Sequence, residues 1–223
     1  MRQSYLAACM PAWVGSRGRS RPQRHAYDAH VFFEQAAAHA IAQGQALPSS
    51  LPKEVLPMSW LLGVWRGKGV GGYPGLEGFE FVQEAVFTTD GRPFVHYHSR
   101  TSRLLADGST GEPLAAECGY LRPTPDMGVE MLLAHPTGYV EIWIGEITVK
   151  GWDFTDTSAQ VTSAQMELRT AGLLRTETAK DYNGGTRLYG LVGGKLLWVM
   201  DMKAMGQDLG SHVSAELERV TAL

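Results

Sequence analysis

Short runs of alternating apolar and polar residues, separated by turn-forming dipeptides, constrain the fold of this chain more than any other feature. In the run 79–87, Phe79, Phe81, Ala85 and Phe87 share one face of an extended strand. No helical stretch between the runs is long enough for a parallel crossover, so the pattern predicts an antiparallel all-β fold. The other runs lie at 63–69, 94–100, 119–122, 129–133, 139–144, 165–169, 173–178, 186–192, 196–203 and 212–220.

Hairpin-turn signals recur between these runs, at Asp90-Gly91, Asp107-Gly108, Asn183-Gly184 and Gly193-Gly194. About ten short strands in hairpin order favour an up-and-down barrel, because closure removes the exposed edges of an open sheet. We therefore expect a ten-stranded antiparallel up-and-down β-barrel, similar to fatty-acid-binding proteins and lipocalins. Small barrels of this kind commonly hold one ligand inside.

The start of the chain differs in composition from the rest. Residues 1–25 contain five arginines and no acidic residue, which predicts a disordered basic leader over 1–26. Asp28 and Gly44 can begin and end an amphipathic helix, and a Pro/Ser connector follows up to residue 57. The apolar side of that helix is formed by Val31, Phe32, Ala36 and Ala40. Because the helix is too small to hold its own core, we expect it to cover a barrel opening or a dimer contact. The barrel domain is expected over 58–223.

Composition argues against several classes of protein. The net charge of −3 disfavours nucleic acid as the main partner. No run approaches the roughly 18 consecutive apolar residues of a membrane span, so no membrane insertion is expected. The two cysteines, Cys9 and Cys118, cannot form a disulfide framework, which favours a reducing cytoplasm. The motifs of nucleophilic hydrolases and of nucleotide-binding proteins are absent from the sequence.

The run Gly63-Val64-Trp65-Arg66-Gly67-Lys68-Gly69 fits the pattern G-x-W-x-G-x-G. Alternation puts Gly63, Trp65, Gly67 and Gly69 on one side of a strand. There the indole can plug one end of a barrel while the glycines allow close backbone approach. This start resembles that of the nitrobindin family, and the resemblance covers roughly residues 58–221. It also rests on Tyr73-Pro74, Gly119-Tyr120-Leu121-Arg122, Leu133-Ala134-His135-Pro136-Thr137-Gly138 and the ending Gly206-Gln207-Asp208-Leu209-Gly210-Ser211-His212-Val213-Ser214-Ala215-Glu216-Leu217-Glu218-Arg219.

Resemblance to the nitrobindins implies a ten-stranded barrel that binds one haem b per subunit at its open end. In that family ferric haem isomerises peroxynitrite to nitrate, and nitric oxide also binds. The resemblance makes His212, in His-x-x-Ala-x-Leu, the axial iron ligand and catalytic residue, and it places Lys180 beside the haem. Many members have Thr after Tyr-Pro, where this chain has Gly75. The missing hydroxyl and side-chain wall predict weaker haem binding.

The same residues have an interpretation without the family. A neutral imidazole suits haem iron, and its second ring nitrogen needs a partner such as a backbone carbonyl. Strict alternation groups His212 with Ser214 and Glu216, opposite Val213 and Ala215. If the latter face lines the barrel, a bulge or loop must take His212 out of register.

Other polar residues have competing interpretations. Lys180 either pairs with a haem propionate or is a solvated lysine beside a turn. His96 and His98 share a strand face, but no nearby ligand completes a metal site. His135 is interpreted as a turn residue. The methionines Met200 and Met202 suit the core or the wall of an apolar pocket.

Two functions from different classes follow. The first is a haem-dependent peroxynitrite isomerase that also binds nitric oxide. The second is a haem-free intracellular carrier of a fatty acid or other apolar ligand, favoured by the G-x-W start and by Gly75. The oligomeric state is open, with a homodimer as one alternative.

Overall fold

The structure is a computed structural model that describes residues 51–154 and 159–220. The predicted leader at 1–26 and the predicted helix at 28–44 lie outside the described residues. A 3₁₀ helix at Lys53–Leu61 precedes ten strands. The strands are β1 (Gly63–Tyr73), β2 (Leu76–Thr88), β3 (Val95–Leu104), β4 (Thr110–Thr124), β5 (Gly128–His135), β6 (Tyr139–Phe154), β7 (Ala159–Arg175), β8 (Tyr182–Val192), β9 (Lys195–Ala204) and β10 (Gly210–Val220).

The ten strands form a closed barrel in sequence order. Each strand pairs antiparallel with the next, and β10 pairs back onto β1 to close the sheet. The predicted all-β, ten-stranded up-and-down barrel is therefore confirmed. Because neighbouring strands run in opposite directions, the β1–β2 turn, the β7–β8 loop and the start of β10 all lie at one end.

Two local predictions from the sequence are wrong. The run 165–169 and the first half of the run 173–178 belong to one strand, β7, which ends at Arg175 and in which the pairing with β6 skips Ala171 and makes a bulge. Asn183-Gly184 is not a hairpin turn, because it lies inside β8 at a register shift between Tyr182 and Gly185. Gly184 has a φ of +102°, so it supplies a strand bulge with the positive φ that a turn would also need.

The 3₁₀ helix closes one end of the barrel. Its Val55, Met58 and Leu61 side chains are fully buried in the core, and the helix contacts β4, β6 and β7. The predicted boundary between residues 57 and 58 falls inside this helix. We call this end the closed end.

Trp65 fills the closed end, as the sequence predicts. It is 0% exposed, and its Nε1–H donates to the carbonyl of Leu61 at 2.7 Å. The Arg219 guanidinium lies 4.3 Å over the indole ring and donates to the carbonyls of Leu62 and Trp60. Burial lowers the pKa of Arg219 to about 10, so the guanidinium stays charged at neutral pH.

The motif glycines allow β10 to approach β1 closely. A Cβ at Gly67 would lie 2.0 Å from the carbonyl oxygen of Glu216, and one at Gly69 would lie 2.3 Å from the ring of Phe81. These positions therefore have no room for a side chain. Within the described ranges, no helix has the length and apolar character needed to cross a membrane.

Candidate functional site

The barrel end opposite the 3₁₀ helix is lined by apolar side chains that are only partly buried. They pack against the main core cluster but stay in reach of solvent, unlike the fully buried residues deeper in the barrel. Partly exposed apolar side chains at a barrel opening suit a flat, largely hydrophobic ligand. We call this group the mouth, and it consists of Phe79, Leu114, Tyr139, Leu173, Met202 and Val213.

His212 lies at the mouth because β10 contains a bulge. The pairing of β10 with β9 shifts between Ser211 and Val213, so His212 is an extra residue opposite the Asp201–Met200 step. The predicted departure from register is confirmed. Without this bulge, alternation would place His212 on the outer face, opposite the inward-facing Ala215 and Leu217.

A backbone carbonyl fixes the orientation of the His212 ring. Its Nδ1 lies 3.0 Å from the carbonyl oxygen of Gly72 in β1. Since a carbonyl can only accept, Nδ1 carries the proton and the lone pair is on Nε2. Among the described residues no hydrogen-bond partner occurs for Nε2, so this nitrogen can bind a metal.

Tyr73 supports the same imidazole from the side. The two rings meet edge to face with centroids 5.8 Å apart. The Tyr73 hydroxyl accepts from the Ala204 backbone N–H at 2.9 Å and donates to the carbonyl of Met202 at 3.0 Å. Tyr73 therefore joins β1 to the end of β9 beside His212.

A buried ion pair crosses the barrel interior. Arg187 on β8 donates to both carboxylate oxygens of Glu117 on β4, at 2.9 and 2.8 Å, and Tyr97 donates to Glu117 at 2.6 Å. Burial by itself would raise the pKa of Glu117, but the attraction and hydrogen bonds of Arg187 outweigh it and lower the pKa to about 2. The interior cation is therefore already neutralised by a carboxylate.

His135 extends this network towards the mouth. Its Nε2 lies 2.8 Å from the Glu141 carboxylate, which is almost fully buried, and its Nδ1 lies 3.8 Å from Glu117. Tyr182 donates to Glu141 at 2.7 Å. The prediction of a turn residue did not include this role of His135. Alternation with Leu133 and the earlier inward residues of β5 could have predicted that His135 faces the interior.

Two buried donors of the network lack an acceptor among the described residues. They are Arg187 Nε and Trp143 Nε1, and the guanidinium lies 4.7 Å from the centroid of the indole. A buried donor without a partner usually has an ordered water or ligand. The interior therefore keeps hydrogen bonds available to an oxygen acceptor.

The residues that the structure describes do not assemble a metal site by themselves. In the described ranges, no group of three or more His, Cys, Asp or Glu side chains is placed to hold an ion. His96 instead contacts Asp90 at 3.6 Å and the ring of Tyr120. A single available imidazole at an apolar mouth fits an iron whose other ligands come with a macrocycle.

Comparison with known proteins identifies the family. A family model described as "THAP4-like, heme-binding beta-barrel domain" matches residues 54–219. The chain belongs to this haem-binding β-barrel family.

Relatives of the haem-binding barrel include proteins of known name and structure. A peroxynitrite isomerase of Nocardioides sp. is 45% identical over 173 residues, which are 78% of this chain and 97% of that protein. A ferric nitrobindin-like protein of Streptomyces avermitilis is 40% identical over 174 residues, which are 78% of this chain and 85% of that protein. The crystal structure of Rv2717c from M. tuberculosis matches with a TM-score of 0.68 at 36% identity, over 76% of this chain and 99% of that chain. The resemblance to nitrobindins is thus confirmed.

The other predicted site residues lie at two places in the haem-binding barrel. Gly75, in the β1–β2 turn, and Lys180, in the β7–β8 loop, are exposed at the same end as His212. Gly75 has a φ of +83° and open space around its Cα. The motif residues Gly63 and Trp65 lie at the closed end instead, so the G-x-W-x-G-x-G pattern shapes the barrel and does not contribute to the mouth.

Hydrogen bonds hold the backbone of the β7–β8 loop at Lys180, whereas the Lys180 side chain is not held. The Lys180 carbonyl accepts from the Tyr139 hydroxyl at 2.7 Å, and Arg175 pairs with Asp181 at 2.7 Å. No partner for the Lys180 ammonium occurs in the described part of the chain. The side chain is thus available to an anionic group at the rim, and equally to solvent.

Proposed function

We propose that this chain binds one haem b per subunit through His212 Nε2 and, in the ferric state, isomerises peroxynitrite to nitrate, with nitric oxide binding at the same iron. The observation that carries the proposal is the hydrogen bond between His212 Nδ1 and the Gly72 carbonyl. It selects the tautomer that an axial ligand requires and holds the ring at the mouth. Relatives named peroxynitrite isomerase at 45% and 41% identity support the reaction.

The side chains of the mouth would hold the cofactor and exclude water. When bound, ferric haem would supply the iron at which the peroxynitrite anion rearranges to nitrate. Val213 follows His212 in β10, and Met202 of β9 pairs with Gly210, two residues before His212. Both side chains offer apolar contacts to a macrocycle. The Lys180 ammonium can pair with a propionate at the rim. Gly75 leaves the wall beside this rim without a side chain, which lowers affinity and widens access.

The interior disfavours the alternative function of fatty-acid carrier. The carboxylate of a fatty acid buried inside the barrel needs a cation as its partner. Arg187 is 4% exposed and is already held by both oxygens of Glu117. Removing a carboxylate partner from a buried guanidinium is costly. A hemin titration distinguishes a haem-free carrier from a haem protein.

The first experiment is a hemin titration of the apoprotein, followed by the Soret band. We expect a saturable one-to-one band in the wild type and its collapse or shift in His212→Ala. His96→Ala, which changes a histidine on the outer face, is the matched control and should titrate like the wild type. The ferric complex should then accelerate peroxynitrite decay in the wild type and the control, with nitrate as the product.

Three results would contradict the proposal in whole or in part. Equal Soret bands in wild type and His212→Ala would show that His212 does not bind the iron. No specific band in the wild type, together with a lipid retained on purification, would establish the carrier. A normal band without faster peroxynitrite decay would keep the cofactor and reject the reaction.

A further inference from the structure

The outer face of β4–β7 carries an uncharged apolar surface. Leu174 is 73% exposed, Val140 and Ile142 are 47% exposed, and Tyr120 is 46% exposed. These residues are contiguous, because Cys118 and Tyr120 pair through β5 with Val140 and Ile142, and Val140 pairs with Leu174. We call this surface the outer band, and it consists of Cys118, Tyr120, Leu132, Val140, Ile142 and Leu174.

Alternation along β6 explains why these apolar residues lie on the outside. In β6 the run Tyr139, Glu141 and Trp143 faces inwards, where Glu141 joins the buried network. The alternating residues Val140 and Ile142 must then face outwards. The next row towards the closed end is charged, with Arg122 and Glu130 paired at 2.8 Å. A contiguous exposed apolar surface with a charged border is typical of an interaction site.

We propose that the outer band is covered by the helix predicted at 28–44 of the same chain. Six residues, 45–50, separate the end of that helix from Leu51, and six extended residues reach about 20 Å. Leu51 packs against the core next to the 3₁₀ helix. That helix contacts β4, β6 and β7, three of the four strands that carry the outer band.

The predicted helix matches the outer band in charge and is long enough to cross it. Among residues 28–44 only Asp28 and Glu34 are charged, so an uncharged face meets an uncharged surface. Seventeen helical residues extend about 25 Å, whereas four strands span about 14 Å between their axes. A helix of this length is marginal in water by itself, and an apolar face against the barrel would stabilise it.

Tethering favours the helix over a second copy of the chain. A short flexible connector gives the tethered segment an effective concentration in the millimolar range. A second copy reaches the outer band only at its own, far lower, solution concentration. The helix should therefore occupy the surface first at ordinary protein concentrations.

Cys118 provides a direct probe, since it is exposed on the barrel and lies within the outer band. The experiment measures the rate of maleimide labelling of Cys118 in the full chain, with Cys9→Ser to remove the other thiol. Ala36→Asp places a carboxylate on the apolar side of the predicted helix. Ala38→Asp places the same charge on the far side, in the row of Glu34, and is the matched control. We expect slow labelling in the parent and in Ala38→Asp, and labelling about tenfold faster in Ala36→Asp.

A second measurement tests the barrel side of the contact. Ile142→Lys should raise amide hydrogen exchange over residues 28–44, whereas Val199→Lys, at a similarly exposed position on the outer face of β9, should not. Hemin binding serves as a check that each variant keeps the barrel intact.

Three outcomes would overturn the proposal. Labelling of Cys118 as fast in the parent as in Ala36→Asp would show that the outer band is uncovered. Protection that rises with protein concentration and survives Ala36→Asp would assign the surface to a second copy. Equal effects of Ala36→Asp and Ala38→Asp would show that the apolar side of the helix is not what docks.

Discussion

His212 reaches its position through two features that differ in how visible they are in the sequence. The need for a bulge follows from alternation in β10, because His212 and Val213 cannot otherwise both belong to the barrel wall. The partner of Nδ1 could not be predicted, since Gly72 lies 140 residues away and offers only its backbone. The bulge can therefore be predicted from the sequence, whereas the group that orients the imidazole cannot.

Tyr73→Phe tests the aromatic support of His212. The substitution leaves the Ala204 N–H and the Met202 carbonyl without their shared partner. We expect the free energy of unfolding to fall by about 1–3 kcal/mol and hemin to bind more weakly, because the ring that flanks the imidazole is no longer held in place by its hydroxyl. Urea unfolding and hemin titration measure the two effects. Tyr120→Phe, on the outer face, is the control, and an equal loss in both variants would refute the specific role of Tyr73.

Among the elements, turn chemistry was only partly predictive. Asp107-Gly108 and Gly193-Gly194 do connect neighbouring strands, with positive φ at each glycine. Asn183-Gly184 has the same local chemistry but forms a bulge in β8. Both structures need a glycine with positive φ, so the dipeptide alone cannot distinguish them. A hairpin turn and a bulge are distinguished only by how the neighbouring strand pairs with the dipeptide. That pairing is not encoded in the local sequence.

The close approach of β10 to β1 depends on a glycine at position 67. In Gly67→Ala the new Cβ would meet the Glu216 carbonyl at 2.0 Å, and this atom belongs to the backbone of β10. The strands must separate, so we expect a loss of about 2 kcal/mol or more in unfolding free energy. Gly78→Ala is the control, since its nearest contact is 3.8 Å away. Thermal unfolding of the two variants with equal transition temperatures would contradict this account.

For the whole molecule, the inner network shows which side of β6 faces the interior. Alternation in 139–144 was visible in the sequence, but it did not show which set faces inwards. The structure places Glu141 inside, beside His135, while Arg187 pairs with Glu117, which lies 70 residues away in the chain. The barrel could therefore be predicted from local patterns, whereas the buried ion-paired network and the apolar outer band could not.

Glu117 makes stability depend on pH in a defined window. Its pKa is about 2 in the folded chain, against 4.5 for an ordinary glutamate. The folded state thus stabilises the carboxylate fully above about pH 4.5, and this stabilisation is lost as the pH falls towards 2. The shift corresponds to a change on the order of 3 kcal/mol.

Urea unfolding between pH 6 and pH 2, compared with Glu117→Gln, measures this contribution. The variant should be less stable at neutral pH by about 3–5 kcal/mol, because Arg187 stays buried without its carboxylate. It should also show a flatter dependence on pH across the window. Parallel pH curves for wild type and Glu117→Gln would show that the pair does not control acid stability.

The two ends of the barrel are built so differently that loading and unfolding should be separate kinetic events. Trp65 and Arg219 tie the closed end to the backbone carbonyls of the segment that precedes β1, whereas the mouth has partly buried side chains and turns. Local opening of the mouth can admit a large planar ligand while the closed end stays folded. Variants that weaken the closed end should therefore shorten the lifetime of the fold without changing how fast the ligand enters.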